Sequence, residues 1–125
     1  MAGFHHIHLE LAREPGAPSG DRGLGYDLVA PLDAEGRLDG ARWKADPARS
    51  RVRRFRDGHT EAVGGLSHVS GGRWVFDFGE DDCDDERGVR LEDERFSSGE
   101  YVSVRMTDGR VHTFKVTSVR PVEPA

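Results

Sequence analysis

Apolar and polar residues alternate along this chain in short stretches, each closed by glycine, proline or small polar residues. A two-residue period places successive side chains on opposite faces, the pattern of a strand with one buried side. In Phe4 to Leu11, Ile7, Leu9 and Leu11 alternate with His6, His8 and Glu10. In Leu24 to Leu32, Leu24, Tyr26, Leu28 and Ala30 share one face. Between these runs, Glu14 to Gly23 carries Pro15, Gly16, Pro18 and Gly20 and reads as a loop. Asp33-Ala34-Glu35-Gly36 reads as a hairpin turn, with Gly36 free to take a positive φ. A third strand is expected from Arg37 to Lys44; the uneven spacing of Leu38 and Trp43 implies a bulge at Gly40 or a weaker strand. Asp46 to Arg49 should turn the chain, and Val52 to Arg56 reads as a short basic strand or loop.

The second half holds the clearest hairpins. Leu66 to Val69 and Arg73 to Phe78 flank Ser70-Gly71-Gly72, and Trp74, Phe76 and Phe78 alternate as a buried face. Tyr101 to Met106 and Arg110 to Val116 flank Thr107-Asp108-Gly109. A two-residue turn would pair Met106 with Val111 and put Phe114 on the face opposite Val102 and Val104. A three-residue turn with Gly109 left-handed pairs Met106 with Arg110. It gathers Val102, Val104, Met106, Phe114 and Val116 on one side, so burial selects it, and His112 then falls on the same inward face. The expected fold is all-β, a small antiparallel barrel or sandwich of about seven or eight short strands with little helix. Residues 1–120 are expected to form a single domain interrupted by an acidic loop at 79–95, and 121–125 a frayed tail.

Composition narrows the function. The 125 residues are 33% charged and 35% apolar, enough for one core carried by two Trp, two Tyr and six Phe. A net charge of −5 argues against nucleic acid or an anionic membrane as a general partner. No apolar run approaches the roughly 20 residues that span a bilayer. The start, Met1-Ala2-Gly3-Phe4-His5-His6, lacks the basic and apolar regions of a secretory signal. The single cysteine, Cys83, excludes an intrachain disulfide, so the expected location is the cytoplasm.

Several groups of residues could carry chemistry. On a strand His6, His8 and Glu10 point the same way and would offer two imidazoles and a carboxylate to a divalent metal such as zinc. The stretch Phe4-His5-His6-Ile7-His8-Leu9 resembles the opening strand of the vicinal oxygen chelate superfamily, which includes glyoxalases. That resemblance implies a metal-ligating histidine on this strand; it stops at Pro15 to Gly20, where the family places a helix. Glu80-Asp81-Asp82-Cys83-Asp84-Asp85-Glu86 lacks EF-hand spacing and reads as a solvated loop, with calcium or a basic partner as the alternative. The basic stretch from Arg42 to Arg56 interleaves Trp43 and Phe55. Its Arg49, Arg51, Arg53, Arg54 and Arg56 suit an anionic partner, the acidic run of this chain or of a second copy before nucleic acid. His59, His68 and His112 form a further set, of which His68 and His112 could meet in a pocket near strand ends, whereas Ser97, Ser98 and Ser103 sit in no nucleophile-elbow context. Gly23-Leu24-Gly25, Gly64-Gly65 and Gly71-Gly72 match no phosphate-binding loop.

Gly72 to Phe78, the acidic loop, Phe96 to Val104 and Thr113 to Val116 together resemble small uncharacterised bacterial β-domain proteins. The resemblance covers the C-terminal half, implies a β module, and brings no activity or site residues. The expectation is therefore a non-enzymatic binding or protein-interaction module without a required cofactor. The alternatives are a metal-binding β protein using His6, His8 and Glu10, or a nucleic-acid module using the 42–56 stretch.

Overall fold

The computed structural model describes residues 3–12, 20–69, 73–77, 86–88, 95–105 and 110–122, with only the backbone of Asp21, His68, Val69, Arg73 and 86–88. Eight antiparallel strands close into a barrel: β1 (Gly3–Leu11), β2 (Asp21–Leu32), β3 (Arg51–Arg56), β4 (His59–Val69), β5 (Arg73–Asp77), β6 (Glu86–Gly88), β7 (Tyr101–Arg105) and β8 (Val111–Pro121). Each strand pairs with the next, and β8 returns to β1, so no edge is left between the first strand and the last. Register shifts bend the wall at His8/Leu9, Glu10/Leu11 and Arg54/Phe55.

Alternation decides what lies inside. Ile7, Leu9 and Leu11 from β1, Leu24, Tyr26, Leu28 and Ala30 from β2, and Val102, Val104, Phe114 and Val116 from β7 and β8 are all buried in one interior cluster. Tyr26 meets Phe76 and Phe114 edge-on, each at 5.0 Å between ring centroids. Eight strands leave a lumen just wide enough for side chains. Here Trp74, Tyr26, Phe76, Phe96 and Phe114 fill it. The β7–β8 ladder runs from Tyr101↔Lys115 to Arg105↔Val111, the register of the three-residue turn. The turn itself, like Met106 and Phe78, lies outside the described residues.

The structure corrects four expectations. The Arg37 to Lys44 strand does not form. Only Leu38 bridges to Leu32, and Gly40–Ala45 is a short helix, α1. The Asp39 carboxylate accepts the Ala41 and Arg42 N–H groups, a cap that the Asp-Gly-Ala-Arg sequence signals and that wins over an imperfect strand pattern. Asp39→Ala should therefore cost about 1 kcal/mol in a urea melt, with no change in slope. Second, β4 starts at His59. The Asp57-Gly58 turn before it has φ of 52° and 80° and joins Arg56 to His59. Third, the 79–95 loop is interrupted by β6, which bridges β5 and β7. Fourth, pairing continues through Pro121, and the Val122 N–H donates to the Phe4 carbonyl at 3.0 Å, beyond the point where fraying was expected. No described helix is long and apolar enough to cross a membrane.

Candidate functional site

The barrel's outer wall carries a row of polar side chains set by strand register. Because Ile7, Leu9 and Leu11 point inward, His6, His8 and Glu10 point outward together, as their spacing implies. His8 pairs with Asp27 on β2, and Asp27 with Arg53 on β3. Directly opposed residues in antiparallel strands share a face at close range, so the three side chains form one line across three strands.

Asp27 is the centre of this line. Its Oδ1 lies 2.6 Å from His8 Nδ1 and 3.4 Å from His6 Nε2. Its Oδ2 accepts a hydrogen bond from the Arg53 guanidinium at 2.7 Å, and Arg53 Nε donates to Thr60 Oγ1 at 2.8 Å. The second ring nitrogen of His8, Nε2, lies 3.1 Å from Glu10 Oε2. His6 Nδ1 is buried and has no hydrogen-bond partner.

The His8 ring is further fixed by stacking. It lies on the Phe55 ring at 5.2 Å between centroids and 10° between planes. Phe55 is 5% exposed, yet it stands outside the interior cluster, on the outer face opposite Gly25. Gly25 makes room for it: a Cβ there would meet Phe55 Cζ at 2.9 Å and run into the Leu9 carbonyl oxygen. The Arg53 guanidinium lies 5.4 Å from the same ring. A hidden glycine thus seats a phenylalanine, and the phenylalanine seats a histidine.

The structure brings His6, His8 and Glu10 together but gives them a different centre. Asp27, not Glu10, is the carboxylate shared by the two imidazoles, while Glu10 stands behind His8. Asp27 is the member that sequence reasoning missed, and Arg53, singled out there for an anionic partner, was not joined to this cluster. Their outward orientation follows from the alternation in β2 and β3, but their meeting with His8 depends on register across two connections. Among the described residues, no group of three or more His, Cys, Asp or Glu side chains stands ready around a cation. In this cluster the space between the imidazoles is taken by Asp27 Oδ1 itself.

The five arginines do not form one surface. Arg49 lies over the Phe4 ring at 4.2 Å, and Arg51 is exposed. Arg54 and Arg56 oppose the inward residues Tyr26 and Leu24, and both bind Glu61 at 3.0 Å. Glu61 is the unpaired extra residue of a bulge, since Arg54 pairs with Ala62 and Phe55 with Thr60. Asp27, Asp39 and Glu61 are thus among the partners of the basic stretch. The acidic residues 80–85 lie outside the described residues.

His112 is half-buried opposite Val104. His68 pairs with Trp74 along the backbone, and its side chain lies outside the description, as does the proposed pocket between the two. An open cleft of about 350 Å³ lies where the 33–36 turn meets Phe96 and Ser97, tied by the Phe96 N–H to the Gly36 carbonyl at 2.8 Å. No family model, curated protein or solved structure matches this chain.

Proposed function

We propose that this protein is a non-enzymatic binding module that acts through the outer wall of its barrel, at the surface formed by β1, β2 and β3. The observation that supports the reading is the contrast between a lumen filled with aromatic side chains and an outer row, His6, His8, Asp27 and Arg53, held in defined geometry. A barrel that carries a ligand inside needs a cavity. This one spends its interior on packing, so recognition falls to the surface. Fixing charged and imidazole groups on strands rather than loops lowers the ordering cost of binding.

The experiment is an amide spectrum of isotope-labelled, untagged protein in concentrated extract of the cells that make it, compared with the same spectrum in buffer. The expected result is selective loss or displacement of signals from residues 6–10, 25–28 and 51–55. Changes confined to the cleft at 33–36 and 96–98, or no change anywhere, would reject the outer wall as the binding surface.

A further inference from the structure

The geometry points to His6, His8 and Asp27 as the ligands of a divalent first-row transition-metal ion, with Glu10 and Arg53 as its supporting shell. This inference rests on the outer wall being the binding surface, and it names the ligand class that surface takes.

The distances carry the argument. Ligand atoms about 2.0–2.1 Å from a tetrahedral zinc ion stand roughly 3.3 Å from one another. His6 Nε2 and Asp27 Oδ1 are already 3.4 Å apart. His8 Nδ1 and Asp27 Oδ1, at 2.6 Å, are held by a hydrogen bond and must open by roughly 0.7 Å to take the same ion. Binding of the ion thus requires the His8–Asp27 hydrogen bond to open, while the His6–Asp27 spacing already fits.

The protons have a place to go. Coordination uses the Nδ1 lone pair of His8, so the proton that Nδ1 now shares with Asp27 Oδ1 is released to solvent as the ion enters, and the neutral ring keeps its proton on Nε2. Glu10 Oε2 stands 3.1 Å from that atom and accepts its hydrogen bond. A carboxylate behind a ligating histidine fixes the tautomer and raises the basicity of the ring. Asp27 is supported in the same way: Arg53 occupies Oδ2 at 2.7 Å and leaves Oδ1 as the single coordinating oxygen. Stacking on Phe55 holds the His8 ring plane.

Access and charge fit as well. The His6, His8 and Asp27 side chains are 36%, 28% and 15% exposed, so an ion reaches them from solvent and keeps water in its remaining positions. Two imidazoles and one carboxylate suit zinc, iron(II), cobalt or nickel, whereas calcium and magnesium take oxygen ligands. Arg53 beside the carboxylate opposes cation binding, so the affinity should be moderate, in the micromolar range.

The test is calorimetric titration of zinc chloride into untagged, chelator-stripped protein, for the wild type and for D27N, H8A and E10Q. Thermal unfolding without metal checks that each variant is folded. The wild type should bind one zinc ion, and calcium should give no signal. D27N and H8A should lose the site, while E10Q, which touches only the supporting shell, should bind 10–100-fold more weakly. In the nitrogen spectrum of the imidazoles, zinc should shift His6 Nε2 and His8 Nδ1. Unchanged binding in D27N, or loss in E10Q equal to that in H8A, would overturn this ligand set. Absence of zinc binding by the folded wild type would overturn the metal inference alone, since the spectrum in cell extract decides the outer-wall reading separately.

Discussion

Trp74→Ala should remove about 3–5 kcal/mol of folding free energy, the largest loss expected from a single truncation in this chain. Trp74 is 1% exposed and is the largest of the fully buried side chains among the described residues. It stands on β5, which among the described residues is held to β6 by the pairs Val75↔Arg87 and Phe76↔Glu86. Its ring also meets Trp43 of α1 edge-on, at 6.0 Å and 87°. Trp43 is anchored separately, because its Nε1 donates to the Leu66 carbonyl at 2.7 Å. Truncation at 74 therefore leaves a cavity that the helix cannot collapse to fill, and the cavity term adds to the lost transfer energy. A domain of this size is stable by about 5–15 kcal/mol, so the variant should unfold at far lower urea than the wild type. A loss below about 1 kcal/mol would mean that the tryptophan is not in the lumen.

Gly25→Ala is the second large effect, and it reaches the outer wall. The new methyl group meets the Leu9 carbonyl on one side and Phe55 Cζ, at 2.9 Å, on the other. The carbonyl belongs to the β1 backbone, beside the shift between Glu10 and Leu11, so it cannot move without disturbing the ladder. Overpacking typically costs about 1–3 kcal/mol, and an obstacle of backbone places this variant at the upper end. Phe55 is the partner free to yield. Its displacement should unseat the His8 ring, and zinc affinity should fall together with stability. A Gly25→Ala protein of wild-type stability with the His8–Phe55 contact intact would contradict the packing described here.

The interior was largely legible in the sequence because alternation reports burial directly. Ile7, Leu9 and Leu11, Tyr26 and Leu28, and Val102 and Val104 against Phe114 and Val116 all lie where their period puts them. The β7–β8 register followed from asking which pairing buries Phe114 with Val102. Elements without a buried apolar stripe were not legible by that route. The first half of β4, Thr60 to Gly65, includes Val63 at 57% exposed and two glycines, so its hairpin was signalled only by Asp57-Gly58. At three residues, β6 is too short to show a period. Phe96 is buried at 1% although it stands outside any strand.

The candidate site divides along the same line. His6, His8 and Glu10 share a strand, so a two-residue period places them together. Asp27 and Arg53 join them through pairings between strands, and the alternation within each strand is blind to which residue faces which. Phe55 stands two residues after the outward Arg53, on the same face, and breaks the polar outer face of β3; its burial there is intelligible only with Gly25 opposite.

The account stands on a closed wall that brings β1, β2 and β3 into one register, and a nuclear Overhauser experiment on labelled protein tests it most directly. The expected result is backbone contact between Ile7 and Val119 and between Gly88 and Val104, with ring-to-ring contact between His8 and Phe55. A spectrum in which β1 and β8 show no mutual contacts, or in which the His8 ring sees only solvent, would contradict both the barrel and the site built on it.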